Sequence, residues 1–286
     1  MKPFGQLVTL CVMIVLFFII MSGGMAVAMI AGADIMEPHF LLAFQGITQL
    51  LTFLLPAVLF AWLFSDNARS FLQLDFSSSK WLLALVGMLI LVCLLPFSDW
   101  LTKVNDNWHW SGNWSALEER LRQQSEQSEQ MIEGLLSLDG IGHLLLNLLV
   151  IALIPAVSEE MLFRGVLQQW FGRWLKNPHI CILLTATIFS LAHGEIFAFL
   201  PRFMLGTVLG YLFYCSKSIL VNMAVHFINN ATIVVIYYFY MHGLIEQNIA
   251  DDLNAPYYIV LIGVAVAVAL FWIFFIKKQR REKVES

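Results

Sequence analysis

Charge is what this sequence has least of. Only 13% of its 286 residues are Asp, Glu, Lys or Arg, against 59% that are hydrophobic, and runs of about 20 apolar residues recur along its length. An ordinary soluble domain is excluded. Cysteine is scarce too. Cys11, Cys93, Cys181 and Cys215 stand in or beside separate apolar runs with no Cys-x-x-Cys pair, which excludes a disulfide framework and a thiolate metal site. The zinc signature His-Glu-x-x-His is absent, as are internal repeats and low-complexity linkers. A net charge of −4 gives no reason to expect a nucleic-acid partner.

What remains is an all-α, polytopic integral membrane protein. Eight transmembrane helices are predicted, over about 7–33, 40–64, 81–101, 141–171, 179–199, 201–216, 218–241 and 256–276. The fifth and sixth are divided by Leu200-Pro201-Arg202. The first apolar run is longer than a signal-peptide core of about 7–15 residues, so it reads as a retained span. Three stretches follow: N-terminal helices with an outer amphipathic segment (1–139), a helical core (140–241), and a last helix with a basic tail (242–286), together one structural domain.

Basic residues set the orientation. With both termini cytoplasmic, most of them fall inside, including Lys277, Lys278, Arg280, Arg281 and Lys283 of the tail. The outer segments 34–39 and 242–255 hold Asp34, Glu37, Glu246, Asp251 and Asp252 and no Lys or Arg. The soluble stretch 102–140 then lies outside. Trp108, Trp110 and Trp114 suit a membrane interface, and 115–137 reads as an amphipathic helix, interfacial or partner-facing, with a solvated connector as the alternative.

Against this apolar background one segment is out of place. Ser158-Glu159-Glu160-Met161-Leu162-Phe163-Arg164 puts three charges inside a predicted span. Each costs about 2.5–3.5 kcal/mol near the bilayer centre, so such groups are read as functional unless they pair. Glu160 and Arg164 are four apart and share a helix face, which allows an ion pair. Glu159 points about 100° away and is left for acid–base work. The alternative is an ion pair with a second glutamate near headgroups. The first three spans carry only neutral polar groups in their interiors, such as Gln45, Thr48 and Gln49, whereas His193, His226 and Asn230 fall in later spans. Counting 1.5 Å per residue, Glu159, His193 and His226 come to mid-depth or the cytoplasmic half. A shared cavity opening to the cytoplasm or to lipid is expected. His143 and Asn147 lie far from Glu159 in depth. With His39, His109, His179 and His242 at span ends or in loops, they read as interfacial polar residues.

Glu-Glu-x-x-x-Arg (159–164), Phe-x-x-x-His (189–193) and His-x-x-x-Asn (226–230), in this order on successive helices, resemble the CPBP family of intramembrane proteases. That family includes type II CAAX prenyl endopeptidases and bacterial proteins of bacteriocin processing or self-immunity. The resemblance covers roughly 140–235. It implies an intramembrane active site in which Glu159 and His193 activate a water, His226 and Asn230 stabilise the oxyanion, and Glu160 with Arg164 supports them. It also implies a peptide or membrane-protein substrate, lipid as surroundings, and a bacterial inner membrane as location. Members are often labelled metalloproteases. Glu159, His193 and His226 would be the zinc ligands; a metal-free glutamate mechanism without cofactor is the preferred expectation. A non-catalytic immunity or scaffold protein is the competing class. A transporter would show repeated halves, which are missing. The substrate and the oligomeric state are not legible.

Overall fold

The structure, a computed structural model, describes residues 3–75, 80–136, 138–245 and 255–273. Of the described residues 86% are helical, and none is in a strand. The helices are α1 (Pro3–Ile30), α2 (Pro38–Phe64), α3 (Trp81–Asp106), α4 (Ser115–Leu136), α5 (Ile141–Leu175), α6 (Pro178–Ala192), α7 (Phe199–Ser216), α8 (Ile219–Met241) and α9 (Tyr257–Phe271). Six are long and apolar enough to cross a membrane: α1, α2, α3, α5, α7 with the turn before it, and α8. The helices α6 and α9 are apolar but only 15 residues each. The basic tail and the acidic residues Glu246, Asp251 and Asp252 lie outside the described residues.

One predicted boundary is corrected. The break between the fifth and sixth spans is not at Leu200-Pro201-Arg202. It comes earlier, where α6 ends at Ala192 and Gly194 takes a φ of +70°, a left-handed turn that suits glycine. Pro201 then sits in the first turn of α7, where a missing N–H costs nothing.

The centre of the bundle is α5. Every residue from Ser158 to Gln168 is buried. A cluster of Met161, Leu162, Phe163, Val166, Leu167 and Trp170 packs on Ala57 and Phe60 of α2, Phe189 of α6, Phe213 of α7 and Ile219 of α8. A second cluster joins α3, α7, α8 and Ala267 of α9, so side chains from all three sequence stretches share one interior. Both α2 and α5 widen to i→i+5 turns, at Leu50–Leu54 and Leu148–Leu153. Each wide turn ends just before a proline, Pro56 and Pro155. A proline cannot donate to the carbonyl four residues back and its ring crowds that carbonyl, so the preceding turn opens. A third wide turn, Met161–Gln168, has no proline and directly follows the two glutamates; such turns recur at functional sites.

The close approach of α7 to the centre rests on two glycines. A Cβ on Gly206 would stand 3.1 Å from the Phe189 ring and 3.2 Å from Ala186, and one on Gly210 would stand 2.7 Å from Ile182. The bared carbonyls accept hydrogen bonds from α5, Gly206 from Arg164 and Gly210 from Gln168, each at 2.9 Å. Small residues four apart let membrane helices touch backbone to side chain in this way.

The amphipathic helix is present as α4. Its start is pinned by Glu118, whose carboxyl is held down at about 2 by the Trp110 N–H, by Arg122 and by His109. Its end buries Leu135 against Leu42 and Val150, and Leu136 against Leu144 and Val234. Asn147 donates to the Leu135 carbonyl at 3.0 Å. It is therefore packed onto the bundle, not a free connector.

Candidate active site

The two adjacent glutamates do separate. Glu160 is fully buried, and its Oε1 accepts from Arg164 Nη1 at 2.8 Å and lies 2.9 Å from His226 Nδ1. Its Oε2 accepts from Asn222 Nδ2 at 3.1 Å. The guanidinium is spent as well. Its Nη2 goes to the Gly206 carbonyl and its plane sits 4.8 Å from the Phe189 ring centre. Only Arg164 Nε lacks a partner.

Glu159 is 4% exposed and lightly engaged. Gln49 of α2 donates to its Oε1 at 3.2 Å, and because an ionised carboxylate only accepts, this fixes the direction of that amide, whose Oε1 lies 3.2 Å from the Ser158 hydroxyl. The other oxygen, Oε2, is 3.9 Å from His193 Nε2 and 3.8 Å from His226 Nε2. His193 donates its Nδ1–H to the Phe189 carbonyl at 2.8 Å, because a carbonyl can only accept. In the neutral ring its Nε2 then carries a lone pair, on the side of Glu159. The Phe189 ring lies against both histidines, with centroids 4.9 and 6.0 Å away.

Three of the predicted residues, Glu159, His193 and His226, thus come together, backed by Glu160 and Arg164. Asn230 is one turn further along α8, and its Oδ1 accepts from Asn229 at 3.2 Å; it makes no hydrogen bond to the other five. The placement of His193 differs from expectation. It does not lie within a span but caps the end of α6, with a 28% exposed side chain. Two residues on, Glu195 accepts from Ser125 of α4 and pairs with Arg202, and Asn105 of α3 bonds the Ile196 carbonyl. The exposed edge of the cluster therefore faces the end of the bundle that carries 102–140.

Sequence reasoning missed Gln49 as a partner, together with Asn222 and Gly206. Asn222 had a signal: with His226 and Asn230 it forms a run spaced by four on one helix face. Gly206 and Gly210 show the same spacing. Gln49 is 110 residues from Glu159 and carries none.

Zinc can be tested on the donor set. Two bonds of about 2.0–2.1 Å at tetrahedral angles separate donor atoms by about 3.3 Å. The 3.8–3.9 Å spacings are wider, and no group of three His, Cys, Asp or Glu among the described residues is placed to hold a metal ion. For zinc to be held there the donors would have to close by about 0.5 Å. A single water, at about 2.8 Å from each, can touch Glu159 and an imidazole together.

Comparison with known proteins bears on the segment that carries this site. Residues 141–232 match the family "Type II CAAX prenyl endopeptidase Rce1-like". The matched segment holds the buried ion pair and both histidines, and the match supports membership of the CPBP family. Over 95 residues the chain is 32% identical to the uncharacterized protein YyaK of Bacillus subtilis (strain 168), covering 30% of this chain and 32% of that protein. It thus spans about a third of the length of the curated relative it matches. No solved structure matches.

Proposed function

We propose that the protein is an intramembrane endopeptidase that hydrolyses a peptide bond of a membrane-associated protein or peptide with a water activated by Glu159 and His193. The observation that carries this reading is the contrast within one helical turn. Glu160 is consumed by Arg164, His226 and Asn222, while Glu159, equally hidden from solvent, keeps an oxygen facing two imidazoles. A scaffold gains nothing from a buried carboxylate held so loosely, since a buried charge is costly unless paired.

In this mechanism the water bridges Glu159 Oε2 and His193 Nε2. Glu159 takes one proton as the oxygen attacks the carbonyl carbon, with His193 accepting a hydrogen bond from the second. His226 acts doubly protonated, Nδ1–H on Glu160 and Nε2–H on the oxyanion. The two carboxylates, the guanidinium and this imidazolium then sum to zero charge. The Asn230 amide is the second oxyanion donor; losing such a donor costs about 10²–10³ in rate. Glu159 returns its proton to the amine as the C–N bond breaks. The wall formed by Gln49 orients the base. The cytoplasmic placement of both termini, supported by the distribution of Lys and Arg, and a bacterial inner membrane, implied by the family resemblance, belong to this reading too.

The test needs no known substrate. Membranes from cells expressing the wild type or Glu159→Gln are compared by N-terminal proteomics. New protein termini present only with the wild type support the reading; identical termini, at equal abundance of the two forms, refute it. On purified enzyme, 1,10-phenanthroline leaves cleavage unchanged. Inhibition reversed by zinc would reassign Glu159, His193 and His226 as ligands.

A further inference from the structure

Away from the catalytic cluster, imidazoles and carboxylates also meet where α2 and α5 begin and α8 ends. Glu37 caps α2, its Oε2 accepting from the Phe40 N–H at 2.7 Å, and its Oε1 is 2.6 Å from His39 Nδ1. At the start of α5, His143 Nδ1 is 2.7 Å from the Asp139 carbonyl oxygen. His242, at the end of α8, holds the Asp139 carboxylate at 2.9 Å. Ionised carboxylates and carbonyls only accept, so both His39 and His143 carry their hydrogen on Nδ1. Both Nε2 atoms are then bare lone pairs. They face each other at 3.2 Å, although 104 residues apart in the chain. Two lone pairs at that distance need a positive charge between them.

Either a proton or a metal ion can supply it, and the 3.2 Å separation suits both. Zinc–nitrogen bonds of about 2.0–2.1 Å at a tetrahedral angle separate two ligand nitrogens by about 3.3 Å, close to the 3.2 Å observed and unlike the wider spacing at Glu159. Each imidazole is also already held through its other nitrogen by a carboxylate or a carbonyl, the support that metal-bound histidines use. We infer that His39 and His143 form a two-histidine site for zinc or a neighbouring transition-metal ion, with water completing the coordination and Glu37 as the outer partner. Imidazole donors select such ions over magnesium and calcium. The ion would clip α2 to α5, the helices that meet again at Gln49 and Glu159, about 15 Å and 24 Å further along each.

The probe is zinc alone, added to detergent-purified full-length protein stripped of metal, with magnesium as control. The expected result is a rise in Tm saturating at one zinc per chain and absent with magnesium. His39→Ala and His143→Ala each abolish the saturable rise. Glu37→Gln weakens it by about tenfold, and Glu159→Gln leaves it intact. Three results overturn the site: no saturable rise in the wild type, which leaves a shared proton; a rise that survives either histidine substitution; or a rise lost in Glu159→Gln, which moves the ion to the catalytic cluster.

Discussion

The bundle holds carboxylate–imidazole pairs in two places, at its centre and at its rim, and burial makes them different objects. At the rim the side chains of Glu37 and His39 are 41% and 60% exposed. Water can replace either partner, and such pairs contribute about 0–1 kcal/mol. At the centre Glu160 and Arg164 are sealed off. There a lost partner leaves an uncompensated charge. The same chemistry is thus nearly neutral at one end and decisive in the middle. Within the centre itself, the contrast repeats between Glu160, fully paired, and Glu159, held by one amide.

The largest effect expected from breaking this contrast is at Glu160. Glu160→Gln leaves Arg164 facing a neutral group and costs about 3–5 kcal/mol, read as lower abundance and a lower Tm in detergent, with activity lost as a consequence. A variant as stable as wild type would show that the central pair is not structural. Next is Gly206→Ala, whose new methyl meets Phe189 and Ala186 and shifts the carbonyl that Arg164 caps. About 1–3 kcal/mol is expected from such overpacking, whereas Gly142→Ala, with open space around it, should be near neutral. An equal loss at both sites would deny that the α6–α7 contact is tight. The smallest effect is at the rim, where His39→Ala without added metal should move stability by no more than about 0.5 kcal/mol.

A pH series sharpens the same distinction for a pair outside the membrane-spanning helices. The Glu118 carboxyl ionises lower in the folded protein, at about 2, than its usual 4.5, so its hold on the start of α4 is complete above the usual value. It is lost as pH falls from there through about 2. Proteolytic nicking around 107–118 should therefore rise across that window and not between pH 5 and 8; nicking that rises at neutral pH would assign the anchor elsewhere.

The sequence carried the centre better than the edges. Charges inside an apolar run stand out whatever the fold, and spacing by four assigns Glu160 to Arg164 because an α-helix returns to the same face after one turn. The amphipathic helix over 115–137 was legible for the same reason, from its periodicity. The end of α6 was not, since Leu200-Pro201-Arg202 is a stronger breaker on paper than Ala192-His193-Gly194, while a proline in a first turn breaks nothing. A span drawn on to 199, past the end of α6 at Ala192, placed His193 inside it. Gln49 and the His39–His143 pair depend on contacts between residues over 100 positions apart, which no local pattern encodes.

The central claim, that adjacent glutamates carry separate duties, is tested most directly by the thermal unfolding midpoint of purified Glu159→Gln. The Gln49 contact survives the substitution and His226 keeps its closer partner Glu160 at 2.9 Å, so the midpoint should stay within about 2 °C of wild type while cleavage is abolished. A fall as large as that of Glu160→Gln would contradict the division, and make both carboxylates parts of one structural cluster.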